Sequence, residues 1–270
     1  MGRRTDDLLD DAEVALQDGR FGDAEALCRR VLSSAPRDLG ATFLLGEALR
    51  EQGRGAEAEG CYRSVVMRSP EHADAWGALA SLLLEQLRWD ESNKAANRCL
   101  CEEPGHPEGA WVRGVLRERR GDMAGAQRDF LRAWQTDPES YPLPVPLSDE
   151  TVEEVVADCL SALHQSIRDY LGNVPILLEE VPSEDLLRQY DPPAHPTEIL
   201  GFFSGHSLQE RSISDPWSAL PGAIVLFRRN LERLANDREQ LLDELRITLF
   251  HEVGHFLGLT EDDLEERGLD

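Results

Sequence analysis

Two histidines and a glutamate near the end of the chain have a spacing that could bind a metal ion and activate a water molecule. His251, Glu252 and His255 form the pattern H-E-x-x-H, and residues four apart on a helix project from the same side. Two imidazoles could therefore bind one metal ion, while Glu252 reaches a water at that metal. Gly258 can end the helix and turn the chain back, which would bring Glu261 to the ion as a third ligand. This donor set, with an open fourth position, predicts a catalytic site for one Zn²⁺ ion.

A long helix has to position these side chains. An apolar pattern of helical period predicts that it spans 241–257. One side of this helix is formed by Leu242, Leu245, Leu249, Val253 and Phe256. The two histidines lie roughly opposite, in a stripe with Glu244 and Thr248. We therefore expect a largely buried helix that forms the floor of a cleft, where bulk water is excluded and a metal polarises its water more effectively.

Short helices and strands precede this helix. Ser148 and Asp149 are placed to cap a helix over 150–171, and Ser183 is placed to cap a brief helix ending at Gln189. Strands are expected over 174–181, 199–203 and 223–227. The pattern predicts a small α+β domain.

The first half of the chain repeats every 34 residues. The clearest markers are four prolines in one register, Pro36, Pro70, Pro104 and Pro138. Turn positions follow the same interval, at Gly19, Gly53, Leu87 and Gly121. Positions for a small packing residue also follow it, at Ala24, Ala58, Ser92 and Ala126. Positions for a larger packing residue do the same, at Cys28, Tyr62, Ala96 and Phe130. A period of 34 with a terminal proline is typical of tetratricopeptide repeats, so the first half resembles four such units in tandem.

A repeat array of this kind has a stacked core, because no helix pair can bury its apolar face alone. Members of this family commonly bind peptides or protein surfaces in the groove that the stack leaves. After the repeats, prolines at alternate positions end the helical pattern and favour a stiff, extended connection. They are Pro142, Pro144 and Pro146. We therefore predict two domains: all-α tetratricopeptide repeats over 1–140 and a small α+β domain over 149–270, joined by a proline-rich linker over 141–148.

The formal net charge of −24 is unevenly distributed. Residues 148–270 hold 26 acidic and nine basic side chains, and residues 1–147 hold 26 acidic and 19 basic ones. This charge repels phosphate backbones and anionic bilayers, so we expect neither nucleic acid nor membrane as a partner. Five scattered cysteines without a C-x-x-C pair indicate a reducing compartment. Together with the lack of an apolar signal segment at the start, they predict a cytoplasmic protein.

Residues from about 150 to 270 resemble the small zincin-like metallopeptidase family of bacteria. The segments that carry the resemblance are 200–205, 210–212, 224–232, 251–261, 263–264 and Gly268. The resemblance implies a minimal zincin domain that hydrolyses peptide bonds, with Glu252 passing the proton of the attacking water to the leaving amine. The family usually has aspartate where this chain has Glu261. Three alternative ligands remain open, Asp262, Asp263 and Glu265.

The resemblance also implies residues that surround the scissile bond. In zincins an extended substrate pairs with an edge strand above the metal helix, and our candidate for that strand is Ala223, Ile224, Val225, Leu226 and Phe227. Arg211 is the first candidate for stabilising the oxyanion, and His206 is the second. We expect a zinc-dependent peptidase whose repeats recruit protein substrates or partners. The alternative is a non-catalytic protein-binding adaptor whose metal site is structural.

Overall fold

The computed structural model describes residues 5–171, 174–205 and 222–265. The chain divides into two compact units, residues 1–141 and residues 142–270. This division falls inside the predicted linker. Each unit has a hydrophobic core of its own, the first around Leu49 and Leu83 and the second around Leu245 and Leu249, as is usual for separate domains.

Four helix pairs form the described part of the first unit. Their bounds are α1 Thr5–Gln17, α2 Phe21–Ser34, α3 Leu39–Glu51, α4 Gly55–Arg68, α5 Ala73–Glu85, α6 Trp89–Glu102, α7 Pro107–Arg119 and α8 Met123–Thr136. The first helix of each pair has 13 residues and the second has 14. This regular alternation confirms the repeat architecture that the 34-residue spacing predicts.

The turn inside each pair needs a left-handed backbone. Gly19, Gly53 and Gly121 have φ angles of 70°, 72° and 78°, and Leu87 occupies the same place in the third pair with φ 58°. The Leu87 side chain is only 3% exposed. A left-handed residue other than glycine costs about 1–2 kcal/mol, whereas burying a leucine contributes about 1.5–3 kcal/mol. Packing therefore offsets the backbone strain at Leu87.

Small residues let paired helices approach closely. The predicted small positions are all buried: Ala24, Ala58, Ser92 and Ala126.

Aromatic rings also pack against glycine backbone. A β-carbon added to Gly46 would lie 2.6 Å from the Tyr62 Cε1, and one added to Gly114 would lie 2.6 Å from the Phe130 Cε1. No larger side chain fits at these two glycines unless the ring moves.

The second unit packs helices against a three-stranded sheet. Its described elements are α9 Asp149–Ala162, α10 Gln165–Leu171, β1 Ile176–Glu179, α11 Glu184–Leu187, β2 Gly201–Ser204, β3 Ala223–Phe227, α12 Arg228–Leu234, α13 Arg238–Leu257 and α14 Glu261–Glu265. The strand order is β1-β3-β2, with β3 parallel to β1 and antiparallel to β2. These elements form the predicted α+β domain, and its core lies between the sheet, α9 and α13.

The predicted helix over 150–171 is two helices. Ser148 does cap the first one, accepting a hydrogen bond from the Thr151 N–H at 3.2 Å. Leu163 then adopts an extended conformation and ends α9. His164 starts α10, because its ring nitrogen accepts from the Ser166 N–H at 3.3 Å and its carbonyl accepts from the Ile167 N–H at 3.0 Å. The apolar stripe continues through this break, so periodicity alone does not reveal it.

Part of the predicted linker is folded onto the second unit. The Val145 N–H donates to the Glu232 carbonyl at 2.7 Å, and the Leu147 N–H donates to the Glu232 Oε1 at 2.8 Å. Arg229 holds the other oxygen of that buried carboxylate at 2.7 Å. The Leu147 side chain is 3% exposed and belongs to the second core. Tyr141, by contrast, packs against Trp111 of the first unit.

The helix α13 is longer than predicted and is capped at both ends. The Asp237 side chain accepts from the Gln240 N–H at 2.9 Å, so the helix starts three residues before the predicted position 241. Gly258 ends it with φ 87°, as predicted. Its core-facing residues are Leu241, Leu245, Leu249, Val253 and Phe256, each at most 3% exposed. No helix within the described ranges is long and apolar enough to cross a membrane.

Candidate metal centre

The two histidines of α13 converge on one point. The Nε2 atoms of His251 and His255 lie 3.0 Å apart, with the rings nearly perpendicular at 78°. Two zinc–nitrogen bonds of about 2.0–2.1 Å at a tetrahedral angle would place such atoms about 3.3 Å apart. The spacing of this pair therefore fits two ligands of one tetrahedral ion with only a small adjustment.

Glu252 lies beside this pair and is buried. Only 5% of it is exposed. It packs against β2, because a β-carbon added to Gly201 would lie 3.0 Å from the Glu252 Cγ and 3.1 Å from its Oε1. Thr248, one turn earlier, approaches the same glycine. The carboxylate is thus held between α13 and β2, which restricts its rotamers.

The strand nearest the helix is β2, which corrects the predicted substrate strand. Ala223, Ile224, Val225, Leu226 and Phe227 do form a strand, β3, but it is the central one, bonded to β1 on one side and to β2 on the other. Neither of its edges is free to pair with a substrate. Its strongly apolar sequence reflects this central position, since Ile224 and Leu226 are fully buried. Among the described strands, β2 is the edge that packs on α13.

The chain returns toward α13 after Gly258, as the spacing predicts. Leu264 of α14 is fully buried against Gly254, where a β-carbon would lie 2.4 Å from the Leu264 Cδ2. Glu261 is the first residue of α14, but its side chain, like that of Glu265, lies outside the described part of the structure. The contact between Leu264 and Gly254 nevertheless keeps α14 near α13.

The remaining alternative ligands differ in their surroundings. Asp262 is exposed. The Asp263 carboxylate accepts hydrogen bonds from the Thr260 N–H at 3.0 Å and from its hydroxyl at 2.8 Å, so it forms a capping box with Thr260 at the start of α14. No group of three potential metal ligands is assembled among the residues that the structure describes. The third ligand stays a prediction. Arg211 and His206, the candidates for the oxyanion, also lie outside the described residues.

A cleft opens beside the histidines, toward the start of α13. It has a volume of about 210 Å³ and is lined from α13 and from the chain entering β2, by Ile199, Leu200, Gly201, Glu244, Ile247, Thr248, His251 and Glu252. Three residues of the predicted stripe, Glu244, Thr248 and His251, thus line this cleft, and His255 does not. Gly201 is the residue whose role the sequence reasoning missed. A glycine beginning a short apolar strand is the signal that could have found it, because such a glycine often marks a close approach of another element.

The repeat unit has its own charged cluster, on three successive odd-numbered helices. Arg50 of α3 donates to Glu85 of α5 at 2.9 Å and lies 3.6 Å from Glu108 of α7. Glu47 accepts a hydrogen bond from the Tyr62 hydroxyl at 2.6 Å. Burial raises the pKa of Glu47 to about 7; the bond from Tyr62 opposes this shift and the nearby Glu108 adds to it. One arginine therefore faces three glutamates.

Comparison with known proteins identifies both units. Residues 171–269 match the family described as zincin-like metallopeptidase, and residues 15–82 and 78–142 match two tetratricopeptide repeat families. No curated protein matches the chain with significance. The chain therefore combines tetratricopeptide repeats with a zincin-like metallopeptidase domain.

Several solved structures resemble part of the chain at low identity. The chain is similar to TTC0263, a thermophilic TPR protein of Thermus thermophilus, at 18% identity over 51% of this chain and 76% of that chain, with a TM-score of 0.45. MamA matches at 15% identity over 58% of this chain and 86% of its own, with a TM-score of 0.41. YrrB, a TPR protein with an unusual peptide-binding site, matches at 16% identity over 47% and 66%, with a TM-score of 0.40.

Proposed function

We propose that the second unit is a zinc-dependent peptidase and that the repeat unit recruits its protein substrates or partners. The observation that carries the proposal is the convergence of the His251 and His255 Nε2 atoms, 3.0 Å apart, beside a buried Glu252. A carboxylate next to two imidazoles on one helix is an arrangement that supports metal-dependent hydrolysis of peptide bonds.

His251 and His255 would hold the ion, with Glu261 as the expected third ligand. A zinc ion bound there supplies Lewis acidity toward the scissile carbonyl and lowers the pKa of water. Glu252 accepts the proton of the attacking water and then donates it to the leaving amine, as a general base and general acid. The packing of Glu252 against Gly201 keeps its carboxylate in one place through both transfers.

The strand β2 would bind the substrate backbone. It is paired with β3 on one side, and among the described strands its other side has no partner. An extended peptide can add to such an edge through main-chain hydrogen bonds. Because β2 also contacts the helix that carries the histidines, a peptide bound there would lie across the metal site. The repeat unit would then supply affinity for a whole protein, which a short strand alone cannot.

The test compares wild-type protein with Glu252→Gln, each as the full chain. Zinc content and circular dichroism should be unchanged by the substitution, whereas cleavage of casein and of short peptides should fall by about 10²–10⁴-fold. Glu239→Gln is the matched control, because Glu239 is an exposed glutamate on the same helix. No cleavage by either protein would favour the non-catalytic adaptor instead. Equal cleavage by both would show that Glu252 is not the general base.

A further inference from the structure

The cleft beside the histidines combines apolar walls with one acidic side chain. Ile199, Leu200 and Ile247 line it, and Glu244 is the one carboxylate other than Glu252 among the described lining residues. Its volume of about 210 Å³ is far more than one water molecule needs and leaves room for a single long side chain. The cleft opens directly next to His251 and Glu252, so a residue adjacent to the scissile bond could enter it.

Glu244 has the position of a group that receives the end of such a side chain. It precedes His251 by seven residues, or about 10 Å along the helix axis, and lies on the same face. Only a long side chain from a peptide held at the metal would reach it. Lysine and arginine have the required form, since their methylene stems bury against apolar surface while their charged ends extend to a polar partner.

Among the residues that the structure describes, no neighbour balances the charge of Glu244. Among the described residues it has neither an ion pair nor a hydrogen bond, whereas the next basic residue along the helix, Arg246, is paired with Asp243 at 2.8 Å. The second half of the chain carries a large excess of acidic side chains, which would favour the approach of a cationic peptide. A cleft with apolar walls and a carboxylate that has no partner among the described residues favours a cation on an apolar stem.

We propose that this cleft is a substrate subsite for a lysine or arginine side chain next to the scissile bond, with Glu244 as its ion-pair partner. The proposal rests on the peptidase function proposed above and names the class of substrate. Glu244 is a specificity-determining residue in this scheme and takes no part in the proton transfers, which belong to Glu252.

The first experiment measures cleavage of an equimolar library of short peptides by the zinc-loaded full chain, with products read by mass spectrometry. Lysine and arginine should be enriched at one fixed position beside the cut. Glu244→Gln should reduce the preference for lysine over norleucine, measured as a ratio of kcat/KM, by about tenfold to a hundredfold. Glu244→Lys should shift the preference toward glutamate at that position. Glu239→Gln removes the same charge from the same helix outside the cleft and should leave the ratio unchanged.

The second experiment measures binding without turnover. Alanine-based peptides with one central lysine or one central norleucine are titrated into zinc-loaded Glu252→Gln, and into the metal-free wild-type chain in case that variant folds poorly. The lysine peptide should bind more tightly, and the difference should disappear when Glu244→Gln is added.

The outcomes separate the subsite from the peptidase function. The subsite is rejected, and the peptidase function stands, if peptides are cleaved without a preference for lysine or arginine. The same holds if Glu239→Gln weakens that preference as much as Glu244→Gln does. If no peptide is cleaved, the peptidase function is wrong and the binding result decides alone. Equal affinity for the lysine and norleucine peptides then rejects the subsite, whereas a lysine preference that depends on Glu244 supports it.

Discussion

Gly201 of β2 lies directly against Glu252 of α13, and there is no space between them for a β-carbon. An alanine methyl would stand 3.0 Å from the Glu252 Cγ and 2.8 Å from the Thr248 Cγ2, closer than carbon atoms normally approach. The strand and the carboxylate would have to move apart. We expect Gly201→Ala to lower kcat/KM for peptide hydrolysis by at least about tenfold. Zinc content, measured by metal analysis, should not change, because neither histidine is touched.

Thr248→Ser provides the control for that prediction. Serine lacks the Cγ2 that makes the shortest contact, so the double variant should recover part of the lost activity, and Thr248→Ser alone should remain close to wild type. Full activity in Gly201→Ala would show that the close packing of β2 on Glu252 has no role in turnover.

His255→Ala should abolish zinc binding. Removing one of the two converging nitrogens leaves an incomplete ligand set, so the purified variant should carry no stoichiometric zinc. Added zinc should stabilise the wild-type second unit by about 2.7 kcal/mol at a hundredfold excess over Kd, and should not stabilise the variant. Thermal unfolding with and without zinc measures this. The control is His164→Ala, which removes an exposed histidine elsewhere in the same unit and should retain the metal. A full zinc complement in His255→Ala would contradict the proposed metal site.

Leu87→Gly should destabilise the repeat unit although glycine suits the left-handed backbone. Relief of strain contributes about 1–2 kcal/mol, but the loss of a buried leucine costs about 2–5 kcal/mol. We expect a net loss of about 1–3 kcal/mol in the free energy of unfolding. Denaturant titration followed by tryptophan fluorescence measures it, since four of the five tryptophans lie in the first unit.

Gly53→Leu is the reciprocal variant. Gly53 has φ 72° and open space around the position of a β-carbon, so a leucine there would carry the strain without any burial. It should also destabilise the repeat unit, by about 1–2 kcal/mol. A stability gain in Leu87→Gly would mean that backbone strain outweighs packing at this turn.

Glu47 should make the stability of the repeat unit fall as pH rises toward 8. Its pKa is about 7 in the folded protein, raised mainly by burial from an ordinary value of 4.5. The folded state therefore binds the proton more tightly, and the resulting stabilisation, present below pH 4.5, is lost as pH rises through 7. Glu47→Gln keeps an acceptor for the Tyr62 hydroxyl but does not titrate.

The measurement for Glu47 is the difference in unfolding free energy between wild type and Glu47→Gln at pH 5 and pH 8. Wild type should lose about 2–3 kcal/mol relative to the variant between these two values. A constant difference would show that Glu47 is ionised throughout. Because both proteins share every other titrating group, including Glu108 and Arg50, the comparison isolates this carboxyl.

The features predictable from the sequence are those set by local spacing. Pro36 and Pro70 mark successive repeats because each helix pair is a local unit that recurs at one interval. His251 and His255 converge because a helix places residues four apart on one side. Gly258 ends α13 because glycine readily adopts a left-handed conformation.

The features that sequence could not supply depend on contacts between distant segments. Ile224 lies in a central strand only because Ile176 and Phe203 pair with it from either side, and an apolar run indicates burial without giving the order of the strands. The closeness of Gly201 to Glu252 likewise arises from packing between residues far apart in the chain. The break before His164 is set by local hydrogen bonds that a continuous apolar stripe conceals.

Because Val145 and Leu147 are both bonded to Glu232, the adjustable length between the two units is very short. It comprises Pro142, Leu143 and Pro144, since Tyr141 already packs with the repeats. Extra residues inserted there would lengthen the tether without removing any of these bonds. A fragment trimmed to start at 149 would instead leave the Leu147 pocket empty and a buried carboxylate without its amide donor. The second unit, if expressed alone, should therefore begin at the prolines.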